Sequence, residues 1–314
     1  MSRWLCGLAA LPTLAGVALA QQPTWSPAAF TEPPRVGRCA VFPADNPWNW
    51  DIAAAPVAPD SAAIVARLTA GEDRMLRADF GEDPDYGIPY AVVGAGQPPV
   101  PVRFTDYADE SDPGPYPIPD EAVVEGGNDD HVLVVDADGC RLYELYRAAR
   151  TGAGWSAESG AVFDLSSNAL RPLGWTSADA AGLPIFPGLV RYDEVASGTI
   201  RHALRVTLPQ TRRGFVPPAT HWASQSDDPD LPPMGLRLRL RADFDLAGFE
   251  GQARVILEAL KRYGLIVADN GTGWFVSGAP SPGWVDDDLA QLRRVPGTAF
   301  EVVVTGPVYG PGDF

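Results

Sequence analysis

The stretch HVLVVDADGCRLYELY, residues 131–146, decides the fold class. His131–Val135 and Arg141–Tyr146 are rich in β-branched, aromatic and long apolar residues, and Asp138-Gly139 stands between them. Asp-Gly supplies the positive φ angles of a tight hairpin turn, so the two runs read as antiparallel neighbours. Similar short runs recur at 90–94 (YAVVG), 160–165 (GAVFDL), 188–192 (GLVRY), 201–208 (RHALRVTL), 235–244 (GLRLRLRADF), 265–269 (LIVAD), 273–278 (GWFVSG) and 300–306 (FEVVVTG). With 32 glycines and 32 prolines punctuating the chain, many short strands joined by tight turns are expected. The expected fold is mainly β, a β-sandwich or jelly roll with a few short helices.

Helical periodicity is confined to three places. EGQARVILEALKRYG places Ala253, Ile256, Leu257, Leu260 and Tyr263 on one stripe and stops at Gly264, the pattern of an amphipathic helix with a glycine at its C-terminal end. SAAIVARL, capped by Asp60 or Ser61, and DDDLAQLRRV are shorter candidates. Asp286, Asp287 and Asp288 suit a helix N-terminus, where carboxylates meet free backbone N–H groups, better than a calcium cluster.

Residues 1–20 carry a basic start, an apolar centre and Ala18-Leu19-Ala20 before Gln21, which reads as a secretory signal peptide cleaved after Ala20. Residues 21–37 lack periodicity and read as a disordered lead-in, and residues 38–314 as a single globular β-rich domain. Export leaves Cys39 and Cys140, and paired cysteines in an oxidising compartment predict a disulfide between them. Twenty-four basic against 40 acidic side chains give a net charge of −16, which argues against a nucleic-acid partner. No later segment is long and apolar enough to span a membrane, so no membrane partner is expected.

Alternation along RHALRVTL puts His202 with Leu204, Val206 and Leu208, while Arg205 shares the other face with Arg201, Ala203 and Thr207. His131 likewise falls on the face of Leu133 and Val135. Inward imidazoles near strand starts suit general acid–base work when a carboxylate stands close, the loop candidates being Asp179, Asp193, Glu194 and Asp269. The competing reading is a core histidine satisfied by backbone. The three histidines lack ligand-like spacing, so no metal is expected, and no nucleotide or nucleophile motif points to a cofactor. The acidic loop 106–121 reads as a solvated surface loop. Arg237, Arg239 and Arg241 alternate with Leu236, Leu238 and Leu240 and are expected to form a solvated outer stripe.

Seven tryptophans, Trp48, Trp50, Trp155, Trp175, Trp222, Trp274 and Trp284, sit beside turn-forming or polar residues, a context in which flat rings can stack on sugars. The segments GWTSADAAGLPIFPGLVRYDEV, IRHALRVTLP and ALKRYGLIVADNG resemble those of a group of secreted bacterial proteins of unassigned function. The resemblance covers residues 40–305 and implies export and a shared fold. Two function classes remain open. One is a secreted polysaccharide hydrolase or lyase using His202, His131, Asp179 and Asp269, with Trp175, Arg205 and Tyr263 binding substrate; in the lyase form Arg205 neutralises a uronate carboxylate beside Tyr263. The other is a non-catalytic binder of cell-wall glycan or extracellular polysaccharide.

Overall fold

The chain enters its fold through a small hairpin, β1 (Arg35–Val36) and β2 (Cys39–Ala40), and Cys39 is bonded to Cys140 across the Asp138-Gly139 turn. The coordinates are a computed structural model that describes residues 25–27, 30–72 and 74–314. The expected signal peptide lies outside the described residues. Inside the stretch expected to be a disordered lead-in, Trp25 Nε1 donates to Val304 O (2.6 Å), its ring meets Trp50 edge-on, and Phe30 bridges to Trp50. Two aromatic anchors in a proline-rich segment suffice to dock it, and periodicity does not register isolated anchors.

Helix α1 (Ser61–Leu68) leads to β3 (Arg77–Asp79), β4 (Tyr90–Val93) and β5 (Val102–Phe104). Strands β6 (Val132–Asp136) and β7 (Arg141–Tyr146) form the hairpin expected from Asp-Gly, with Val132 opposite Leu145 and Asp136 opposite Arg141. After β8 (Ala149–Thr151), β9 (Gly154–Ala157) and β10 (Ser159–Asp164), a long loop reaches helix α2 (Tyr192–Ala196). Here GLVRY departs from expectation. Pro187 and Gly188 close a 3₁₀ turn, and only Val190 bridges to a strand neighbour. Strands β11 (Leu204–Leu208) and β12 (Arg237–Leu240), helix α3 (Gly251–Arg262), strands β13 (Leu265–Asn270) and β14 (Phe275–Ser277), helix α4 (Asp286–Ala290) and β15 (Phe300–Val302) complete the chain.

The fold is mainly β and sandwich-like, built from a six-stranded sheet in the order β15-β12-β13-β11-β14-β3, a four-stranded sheet β10-β7-β6-β4, and a three-stranded sheet β5-β9-β8. Alternation divides the faces of the four-stranded sheet. Leu133, Val135 and Leu142 join the main core, while Val132, Val134 and Leu145 join a second core shared with Trp155 and Ala157. The loop 106–121 is fastened to that second core by the buried Tyr116 and Ile118, and Asp112 accepts from Val162 N (2.9 Å), so it is not a free solvated loop.

Helix α3 buries its stripe at Ala253, Ile256, Leu257 and Leu260. It ends because Gly264 turns at φ +70° beside Leu238 O, 2.1 Å from where a Cβ would sit. Asp288 Oδ2 accepts from Gln252 N (3.0 Å) in the first turn of α3, and Asp286 Oδ1 from Glu82 N (3.2 Å). Two of the three aspartates therefore satisfy backbone donors of neighbouring segments, and no metal-type cluster of His, Cys, Asp or Glu occurs among the described residues.

On the six-stranded sheet, strand register places Arg205, Thr207, Asp269, Ser277, Asp79, Arg237 and Arg239 on one face and Val206, Leu238, Leu265, Val276 and Val302 on the other. The expected solvated arginine stripe holds for only one of its three members. Arg241 is exposed, but Arg237 donates to Tyr263 O and Pro47 O, and Arg239 to Ile52 O, Ala53 O and Glu301. Alternation assigns a residue to a face, and here the polar face is roofed by the carbonyls of residues 47–55. Among the described residues no carboxylate joins Arg237, and burial lowers its pKa to about 9.

Candidate active site

The polar face of the six-stranded sheet centres on Arg205. Val206 stands opposite Val276 on antiparallel β14, so Arg205 lies beside Ser277, which is itself in register with Asp79 on β3. Arg205 donates to Ser277 Oγ (2.7 Å), to both carboxylate oxygens of Asp179 (2.9 and 3.3 Å) and to Asp269 Oδ2 (3.3 Å). Burial alone would lower its pKa, but Asp179 and Asp269 raise it, so the charge is held.

Asp179 reaches the sheet from the loop between β10 and α2. Ser177 Oγ accepts from Asp179 N (2.9 Å), and Gly182 closes the turn at φ +70° with its N–H on Asp179 O. A Cβ at Gly182 would stand 2.2 Å from Thr220 Oγ1, so glycine is required there. The same loop is bound to the opposite sheet. Glu144 of β7, fully buried, accepts from Ile185 N and Phe186 N (2.9 Å each), and Ala178 O meets His131 Nε2 (3.0 Å). Residues 176–190 are thus clamped between the two sheets by buried polar contacts.

His131 completes this arrangement with Nδ1 on Glu125 Oε2. Burial opposes the imidazolium, yet Glu125 outweighs it and the pKa is raised. Glu144, which packs behind it, is pushed up to about 7 by burial, against its two backbone donors. Toward the open side stand two carboxyls. Asp269 keeps 30% of its side chain exposed. Its pKa is raised by burial and by Asp179, against Arg205. Asp79 is raised by burial first, with Glu125 and Asp129 adding to it and Arg205 opposing. Tyr86, beside Asp79, is pushed up to about 12 by burial and that neighbouring charge.

The structure brings together His131, Asp179, Asp269 and Arg205 from among the residues singled out by sequence. It leaves the others elsewhere. His202 is 1% exposed, with Nδ1 on Ala203 O (2.7 Å) and Nε2 on Glu194 Oε2 (3.0 Å), so neither nitrogen is free. Glu194 also binds Arg191 (2.8 Å); burial would raise its pKa, but Arg191 and His202 lower it. Tyr263 is buried with its hydroxyl on Thr31 Oγ1 (3.2 Å), and Trp175 lies under the Arg171 guanidinium. Asp193 is exposed. Arg205 was expected to meet a uronate carboxylate. It is instead buried and committed to Asp179, Asp269 and Ser277.

The tryptophans also depart from expectation. Trp48, Trp155, Trp274 and Trp284 are core residues, and Trp222 is stacked between His221 and Phe215. Asp79, Glu125 and Glu144 were missed. Glu144 was legible, because on β7 it alternates onto the face of Leu142, the same signal that singled out His202. Asp79 and Glu125 stand at a strand end and in a loop, where no period speaks. Compared with protein-family models, curated proteins and solved structures, the chain finds no match in any of the three.

Proposed function

We propose that this protein is a secreted polysaccharide hydrolase in which Asp269 and Asp79 are the acid–base pair. The supporting observation is that these two partly open carboxyls, on one sheet face, both have raised pKa values beside a guanidinium locked by a third carboxylate. A carboxyl that holds its proton more tightly than an exposed one is the better donor to a glycosidic oxygen. In the proposed reaction Asp269 gives its proton to that oxygen as the bond to the anomeric carbon breaks. Water attacks that carbon, and its proton passes to Asp79. Solvent then returns a proton to Asp269 and takes one from Asp79.

Strand order separates Asp79 from Asp269 by three strand spacings, roughly 14 Å between backbones. Carboxyls of inverting pairs stand roughly 6.5–9.5 Å apart, so the two side chains must lean toward each other over Arg205 for one water to reach both. Elimination is less well supported, because Arg205 is committed to Asp179, Asp269 and Ser277 and the buried Tyr263 has its hydroxyl on Thr31 Oγ1. The disulfide suits an oxidising compartment, and no helix among the described residues is long and apolar enough to cross a membrane.

The test is a polysaccharide panel followed by reducing-end release, absorbance of unsaturated ends and the anomer first formed. Asp269→Asn and Asp79→Asn are each expected to lower turnover by about 10²–10⁴-fold with melting temperature retained. Unsaturated products, or turnover unchanged in both variants, overturn the reading. Glycan binding with no turnover on any substrate would replace it by the non-catalytic alternative.

A further inference from the structure

His131 is buried, and both of its ring nitrogens face acceptors. Nε2 stands 3.0 Å from Ala178 O, a backbone carbonyl that has no proton to give, and Nδ1 stands on Glu125 Oε2. The same carboxylate oxygen accepts from His131 N (3.3 Å), and Glu125 N donates to His131 O (2.9 Å), so the two residues are locked to each other through backbone as well as side chain. A neutral imidazole has one N–H and one lone pair, so it can satisfy one of the two acceptors and must turn a lone pair on the other. Only the imidazolium, a donor at both nitrogens, makes both bonds. The raised pKa of His131, where Glu125 outweighs burial, agrees with that geometry.

The two bonds hold different things. Glu125 is six residues away, whereas Ala178 lies 47 residues away in the loop between β10 and α2. Among the described residues Ala178 O has no other donor. Asp179 follows it directly and takes Arg205 at 2.9 and 3.3 Å, and Arg205 reaches Asp269 Oδ2 at 3.3 Å. An ionised carboxylate is a stronger acceptor than a carbonyl. When the ring gives up one proton, the proton that remains therefore stays on Nδ1, and Nε2 sets a lone pair against Ala178 O. Around the ring stand Glu144 and Tyr146 of β7, the Tyr146 ring 5.6 Å away, with Arg205 of β11, Asp179 of the loop and Asp79 of β3, the last acting through Glu125. Glu144 holds the same loop through Ile185 N and Phe186 N, so its titration has to be separated from that of His131. His202 offers a contrast. Its Nδ1 faces the carbonyl of its own neighbour, Ala203, and joins no distant segment.

We infer that His131 is a positioning residue whose doubly protonated ring latches residues 176–190 to the start of β6 and so holds Asp179, Arg205 and Asp269 in place, the latch opening when Nε2 loses its proton. The latch itself is read from the fold, and its consequence for catalysis rests on the hydrolase reading.

Nitrogen NMR of the histidine-labelled protein reads the protonation of each ring, and amide hydrogen exchange reads residues 176–190 across the same pH series. Both nitrogens of His131 are expected to carry protons at neutral pH. Exchange in the loop is expected to rise by about ten-fold or more in the step in which Nε2 is deprotonated, and turnover to fall in that same step. Glu125→Gln removes the charge that holds the second proton and is expected to bring the step down by about 1–3 pH units, a shift that a merely structural contact would not produce. In Glu144→Gln the step is expected to persist. His131→Gln, if it folds, is expected to show loop exchange with no such step. A single ring proton on His131 at neutral pH, loop exchange indifferent to its titration, a step unmoved in Glu125→Gln or a step lost in Glu144→Gln overturns the latch. The step observed without turnover on any polysaccharide leaves the latch and removes the hydrolase reading. Turnover whose alkaline limb ignores the His131 step does the reverse.

Discussion

Asp179 and Arg205 meet through two hydrogen bonds of 2.9 and 3.3 Å, and the Asp179 side chain has no exposed surface. Desolvating two charges is expensive, so the pair by itself adds little stability, but breaking it leaves the buried Arg205 charge with only the partly exposed Asp269 opposite it. Asp179→Asn is therefore expected to destabilise the protein by about 3–5 kcal/mol. Urea unfolding measures this, and a loss under about 1 kcal/mol would contradict the burial described.

Glu144 sets a pH dependence. Its pKa rises from 4.5 to about 7 on folding, so the native state binds the proton more tightly than the unfolded chain. The stability it contributes is complete below pH 4.5 and is lost as pH climbs to about 7. Unfolding free energies for wild type and Glu144→Gln are expected to diverge across that window by up to about 3 kcal/mol, the wild type declining more steeply. Parallel curves would show that Glu144 is not the group responsible. Comparison with the variant removes the contributions of His131, Asp79 and Asp269, which both proteins share.

His202 binds Ala203 O and Glu194 with its two nitrogens and has no path to a ligand. His202→Gln is expected to cost about 1–3 kcal/mol while turnover or glycan binding per folded molecule stays as in the wild type. Full stability with turnover lost would give His202 the working role that its geometry argues against.

The Cys39–Cys140 bond links segments 101 residues apart. Thiol titration of denatured, unreduced protein should find no free thiol from this pair, and the double serine variant should lose about 2–4 kcal/mol. Two titratable thiols would refute the bridge.

Much of the architecture is written in residues a few positions apart, because period-2 alternation, Asp-Gly turns and a glycine stop are local physics. These features determined the β6–β7 hairpin, the strands around it, the buried stripe of α3 and the face on which each arginine of β12 stands. Alternation carried no information about what covers a face. Arg237 and Arg239 are roofed by carbonyls some 185 residues away in sequence, and a solvated stripe has the same pattern. The site was legible only as a set of candidates. Arg205 finds Asp179, Asp269 and Ser277 at sequence separations of 26, 64 and 72 residues, through strand order and a loop clamped between two sheets. Which carboxylates share one guanidinium is decided by the placement of whole strands, and only the tertiary structure supplies that placement.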